Sequence, residues 1–274
     1  MRTVLRRLLR TLRSPRRRPR LSAFEDFSGT WANAQKAVEG YSAPDIIDRV
    51  LDASLAVHEG RAVHERDSVN FDRIQYAWPV LAGLLWSAAA HGGSLRVLDL
   101  GGSLGSSYRQ NRRFLSGLRN LSWAVVEQPL FVAVGREHFQ DDTLTFHESI
   151  VAASSTRPHV GLISSSLQYL DEPSSALAEM TATGISTLII DRTPVHPGDE
   201  DRLTLQHVPP RIYPATYPAR LLSRSRLLRA LHDLDWTIME EFETLERPMV
   251  TRAGFAFDWT GMICTRPRGA ENAR

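Results

Sequence analysis

A short apolar run, Leu95-Arg-Val-Leu-Asp99-Leu, ends in Gly101-Gly102-Ser103-Leu104-Gly105, and a second, Trp123-Ala-Val-Val, ends in Glu127-Gln128. Residue types and spacing suit the binding of an adenosine-type ligand. Glycines without Cβ atoms let a ligand approach the backbone, and a helix starting there offers unpaired N–H groups. The acid at the tip of the next strand stands where such crevices place a carboxylate for the ribose hydroxyls.

The glycine register separates two ligand classes. A dinucleotide site wants G-x-G-x-x-G, whereas these glycines fall at 101, 102 and 105. S-adenosylmethionine (SAM) sites use an acid followed by glycines on alternate positions, D-x-G-x-G-x-G. Asp99-x-Gly101-x-Ser103-x-Gly105 fits that pattern with serine at the middle glycine. Asp99, Gly101, Gly102, Ser103, Gly105, Glu127 and Gln128 are therefore the cofactor candidates, with Ser103 read either as a ligand contact or as a helix cap. Ser164 and Ser165, after a later strand, face the transferred methyl. Tyr169 and Leu170 read as helix core.

Methyl transfer to a hydroxyl wants a base. Residues 192–220, rich in proline, aromatics and histidine, read as a long insertion loop over the crevice, a lid or acceptor site. Within it His207 is the base candidate, with Asp191 to orient it, and Arg192, Arg211, Tyr213 and Tyr217 are acceptor-binding candidates. No zinc cluster is expected, and a metal requirement is not legible in the sequence. The single cysteine, Cys264, builds neither a disulfide nor a thiolate site and fits a reducing cytosol.

The elements that must position these groups follow from periodicity. Apolar runs at 95–100, 123–127, 143–147, 160–164 and 186–191, separated by helical stretches, imply an α/β, doubly wound parallel sheet. Runs at 236–241 and 255–265, after a helix at 221–233, complete a seven-stranded Rossmann-like methyltransferase sheet. Residues 21–92 read as a helical N-terminal cap, 93–267 as the SAM-binding domain and 268–274 as a tail. With 274 residues, 42% of them hydrophobic, the chain can bury a large core.

Charge is unevenly placed. Nine of the first twenty residues are arginine, and the net +2 of the whole chain leaves the remainder acidic by about seven charges. Val4, Leu5, Leu8, Leu9 and Leu12 fall on one helical arc opposite Arg2, Arg6, Arg7, Arg10 and Arg13, so residues 1–20 read as a basic amphipathic arm. Such an arm suits an anionic membrane surface or stays solvated. Without interleaved aromatics it is a poor nucleic-acid binder. These features place the chain in the cytoplasm, with the inner face of the cell membrane as the arm's partner in the first case. Oligomeric state is not legible.

Taken together, Phe27-Ser-Gly29-x-Trp31, Gly40-Tyr41, Glu65-Arg66-Asp67-Ser68, Val97-Leu-Asp99-x-Gly-Gly-Ser-Leu-Gly105, Val126-Glu127-Gln128, Ser165-x-Leu167-Gln168-Tyr169-Leu170 and Ile190-Asp191-Arg192-Thr193-Pro194 resemble a family of bacterial class I SAM-dependent methyltransferases often encoded beside surface-polysaccharide genes. The resemblance spans residues 24–265. It implies methyl transfer, with O-methylation of a sugar or lipid-linked surface glycan as the leading expectation. A non-catalytic SAM-binding scaffold is the alternative. An NAD-dependent oxidoreductase is disfavoured by the glycine register and by the lack of a Tyr-x-x-x-Lys pair, Lys36 being the only lysine.

Overall fold

The structure, a computed structural model, describes residues 20–21, 23–38, 44–66, 68–209, 212 and 215–266. Arm residues 1–19 and tail residues 267–274, with Arg211 and Tyr213, lie outside that set. The N-terminal section contains β1 (Arg20–Leu21), β2 (Phe24–Asp26), α1 (Trp31–Lys36), α2 (Pro44–His58), the hairpin β3 (His64–Arg66) and β4 (Val69–Phe71), and α3 (Trp78–Ala90). It is thus not wholly helical as expected, since β2–β4 interrupt it.

The sheet begins with β5 (Ser94–Leu100) and continues through α4 (Ser106–Leu115), β6 (Asn120–Val126), α5 (Pro129–His138), β7 (Leu144–His147), α6 (Ile150–Ala153), β8 (Val160–Ser164), α7 (Pro173–Ala182) and β9 (Thr187–His196). There follow β10 (Arg202–His207), β11 (Thr216–Ser223), α8 (Arg224–Asp233), β12 (Thr237–Glu243), β13 (Met249–Val250) and β14 (Ala256–Thr265). Strands β7-β6-β5-β8-β9 run parallel in that order, and β14 then pairs antiparallel with β9 and with β12. This is the doubly wound methyltransferase order the sequence pattern implies.

Why these runs are strands is visible in their two-residue alternation. Val97, Trp123, Val125, Phe146, Leu162 and Ile189 enter one core with α2, α3, α4 and α5. Leu98, Leu100, Ala124, Val126, Ile163 and Ile190 enter a second with α6, α7 and α8. Both faces are covered, so each strand reads as a continuous apolar run. Winding reverses between β5 and β8, which opens a crevice beyond their carboxyl ends.

Residues 192–220 are not the loop that their prolines and aromatics suggest. Strand β9 runs on to His196, and β10 and β11 form an antiparallel hairpin joined to β9 through Leu222↔Val195 and Ser223↔His196. Strand β2 adds to the free edge of β10. Alternating large residues such as Leu205, Tyr217 and Leu221 let a proline-rich segment pair as strand, with Pro218 opposite Leu205. The helix after it starts at Arg224 rather than 221, capped by the Ser223 hydroxyl, which accepts from the Arg226 N–H.

Candidate active site

A cavity of about 850 Å³ opens beyond the carboxyl ends of β5, β6, β8 and β9. Its floor is the turn between β5 and α4. Gly101 has φ of +74°, and a Cβ there would overlap Ser166, whose hydroxyl donates to the Leu100 carbonyl at 2.5 Å. Ser103 takes φ of +53°, so the backbone keeps at serine the left-handed geometry for which glycine is the easier choice. Gly105, not Ser103, caps α4 and does so without a side-chain bond; it lies off the cavity wall.

Glu127 follows β6 and lines the cavity. Its carboxylate accepts from the Ser103 N–H at 3.2 Å and from the Gln128 N–H at 2.9 Å. Burial pushes its pKa up, while those two N–H donors pull it down. Gln128, Ser164, Ser165, Arg192 and Tyr217 also line the wall, alongside Gly101, Gly102 and Ser103.

Besides Gly105, three expected residues do not. Asp99 is buried beneath Gly102, where its carboxylate accepts from Trp123 Nε1 at 2.9 Å, and burial with the nearby Glu127 charge raises its pKa to about 7. It supports the turn from below. Asp191 is buried and accepts from the Ser164 hydroxyl at 2.8 Å, with the Arg192 guanidinium at 3.5 Å. His207 sits on β10 one residue after Gln206, and the alternation of the strand sends the two side chains opposite ways. Gln206 lines the cavity; His207 instead meets Glu25 at 2.9 Å and Thr216 at 3.0 Å, and Glu25 also holds Arg252. It is a strand-pairing residue of the hairpin, not a base in the crevice.

Sequence reasoning missed much of the roof. Trp31, Tyr169, Tyr217 and Trp259 give the wall aromatic surfaces, and Val50, Val208, Pro209 and Ile212 extend the apolar part. Tyr169, expected in a helix core, packs edge-on against Tyr217 at 5.3 Å and donates its hydroxyl proton to Gln206 Oε1 at 2.7 Å; Leu170 also reaches the wall. Trp259 Nε1 is buried with no hydrogen-bond partner among the described residues. Glu246, in the turn between β12 and β13, lines the cavity with Oε1 3.9 Å from Arg192 and Oε2 shielded and without a hydrogen-bond partner among the described residues. Burial raises its pKa, against the lowering pull of Arg192 and Arg66. No local pattern marks Glu246, because it belongs to a turn and its neighbours arrive only through the fold.

No family model and no curated relative matches this chain. Among solved structures, it is similar to the N-terminal domain of EvdMO1, crystallised in the presence of SAH and D-fucose (15% identity, 82% of this chain and 100% of that one, TM-score 0.47). It is also similar to the 1,6-didemethyltoxoflavin-N1-methyltransferase of Burkholderia thailandensis, with S-adenosylhomocysteine bound (21%, 82% and 91%, 0.38). A third is the magnesium protoporphyrin IX methyltransferase of Synechocystis, with SAM bound (14%, 82% and 99%, 0.44). At such identities and TM-scores the fold rests on the strand order itself. Among the described residues no group of three or more His, Cys, Asp or Glu side chains is placed to hold a metal ion. No helix among them is long and apolar enough to cross a membrane.

Proposed function

We propose that this chain is a SAM-dependent methyltransferase whose acceptor is a sugar hydroxyl, free or on a glycan. The observation that carries the reading is the Glu127 carboxylate leaning over the glycine turn inside a cavity large enough for donor and acceptor together. Ser103 and Gly101 would hold the donor's amino-acid end, and Glu127 its ribose. Bound there, the sulfonium supplies a methyl group already activated for in-line displacement.

The chain's own residues then have little covalent work. Trp31, Tyr169, Tyr217 and Trp259 offer flat apolar faces for the C–H face of a sugar ring, and Gln35 and Gln206 offer amides for its hydroxyls. Glu246 takes the acceptor's hydroxyl proton as the oxygen–methyl bond forms and the carbon–sulfur bond breaks, its electron pair staying on sulfur. A carboxylate with a raised pKa is the better base near neutral pH. The likeness to a family beside surface-polysaccharide genes supports a glycan acceptor, and residues 1–20 would bring the enzyme to an anionic membrane face.

Calorimetry with S-adenosylhomocysteine (SAH) and NADH tests the donor half; binding of SAH alone is expected, and binding of NADH alone would reverse the reading. Methyl-labelled SAM with a panel of nucleotide sugars and lipid-linked glycans tests the acceptor half. Donor binding with no transfer across that panel would favour a non-catalytic binding protein.

A further inference from the structure

Strand β3 reaches the crevice from the N-terminal section and is fastened to the sheet domain at the start of α4. Glu65 is buried; its carboxylate accepts from the Ser106 hydroxyl in the first turn of α4 and lies 3.6 Å from the Arg109 guanidinium. That attachment fixes the next residue. Arg66 lines the cavity beside the α4 N-terminus, and Ser68 lines it two residues later.

The cavity wall holds two arginines in different circumstances. Arg192 stands against Asp191 at 3.5 Å and Glu246 at 3.9 Å. Arg66 has the Phe71 ring 5.8 Å away and no carboxylate of a described residue within ion-pair distance, although the Glu246 charge acts on it from farther off. A guanidinium held in a concave site with no carboxylate in contact is suited to an incoming anion, and its planar fork matches a carboxylate in two-point geometry. The α4 N-terminus adds N–H dipoles of the same sense.

We infer that Arg66 seats the α-carboxylate of the donor's methionyl group, so that the β3–β4 hairpin closes the amino-acid end of the donor site. The inference rests on the donor reading above. The donor would thus be held at both ends by chain segments from different parts of the sequence: Glu127 at the ribose, Arg66 at the carboxylate.

The test is a cycle between one ligand group and one side chain, read by calorimetry on the full chain. SAH is compared with its decarboxylated analogue S-adenosyl-3-thiopropylamine, on wild type and on Arg66→Ala and Arg66→Lys. Wild type should bind SAH at least tenfold more tightly than the analogue. Arg66→Ala should lose that preference while its affinity for the analogue changes less than threefold, and Arg66→Lys should keep part of it. Equal losses for both ligands, or an undiminished preference in Arg66→Ala, would overturn the seat while leaving the donor reading intact. If Arg66→Ala does not fold, the absence of any preference in wild type overturns it without a variant. Failure of wild type to bind SAH at all would remove the donor reading and the seat with it.

Discussion

Glu127 Oε1 accepts from the Ser103 N–H at 3.2 Å, tying the tip of β6 to the turn after β5 across the crevice between them. The bond holds the carboxylate over the turn. A ligand with two vicinal hydroxyls can replace the Ser103 donor and leave the carboxylate satisfied, so the group is held in place before the ligand arrives. Glu127→Ala is therefore expected to weaken SAH binding by about 10- to 100-fold, as for a charge-assisted pair, with Glu127→Gln intermediate. Calorimetry on the three proteins, with melting curves to verify folding, decides it.

Ser103 occupies the left-handed region at φ of +53°. Its relief by glycine should stabilise the fold by about 1 kcal/mol, or roughly 2–4 °C in melting temperature for a domain of this size. Ser103→Gly should keep the amide that Glu127 uses and hence keep SAH affinity. A lower melting temperature would show that the hydroxyl supplies a bond worth more than the strain.

Gly101 tolerates no such exchange. Its φ of +74° and the Ser166 side chain in the space of a Cβ make Gly101→Ala costly in two independent ways. A loss of about 2 kcal/mol or more is expected, together with weaker SAH binding, because the turn must shift to admit the methyl group. Chemical denaturation measures the first and calorimetry the second.

Asp99 predicts the pH dependence of stability. Its folded pKa of about 7 exceeds the ordinary aspartate value of 3.8, so the native state holds a proton that the unfolded state releases. The contribution is fully present below about pH 4 and is lost as pH rises to about 7, at roughly 1.4 kcal/mol for each unit within that window. Asp99→Asn keeps an oxygen for Trp123 Nε1 and removes the titration. Its stability relative to wild type should rise between pH 5 and 7 and level off above; a constant difference would show that Asp99 does not titrate there.

His207 is the base that the sequence suggests, and Glu246 is the base of the proposed mechanism. His207→Gln should leave SAH affinity and turnover within about twofold while lowering stability slightly, since its Glu25 contact is partly exposed and such pairs contribute about 0–1 kcal/mol. Glu246→Gln should lower kcat by about 10²-fold or more and spare SAH affinity. In wild type the rate should fall as pH drops through the raised Glu246 pKa, and that limb should vanish in the variant. The reverse pattern would return the base to the hairpin.

The sheet was legible because a strand covered on both faces leaves an uninterrupted apolar run, as at Leu95–Leu100 and Trp123–Val126, and because glycine marks the turn between. The floor of the cavity was legible for the same reason: Gly101, Ser103 and Glu127 lie at strand ends, where position in the chain implies position in space. Asp99 was misread by one layer. An acid two residues before the turn occupies the strand's covered side, and only the buried indole of Trp123 explains how it is tolerated there. The roof was illegible since Trp31, Arg66, Gln206, Glu246 and Trp259 come from five separate segments that meet only in the folded chain. Proline at 209, 214 and 218 suggested a loop, yet an edge hairpin accommodates proline wherever no ladder N–H is needed.

The hairpin of β10 and β11 pairs with β9 through two residue pairs and with β2 along β10, and its Ala219 and Leu221 pack with Phe24 and Phe257. The hairpin thus has a genetic address apart from the wound strands, and it brings Gln206 and Tyr217 to the cavity wall from outside their winding. Selection can alter that part of the wall while the glycine turn stays the same, and close kin of this chain should diverge fastest between residues 202 and 218.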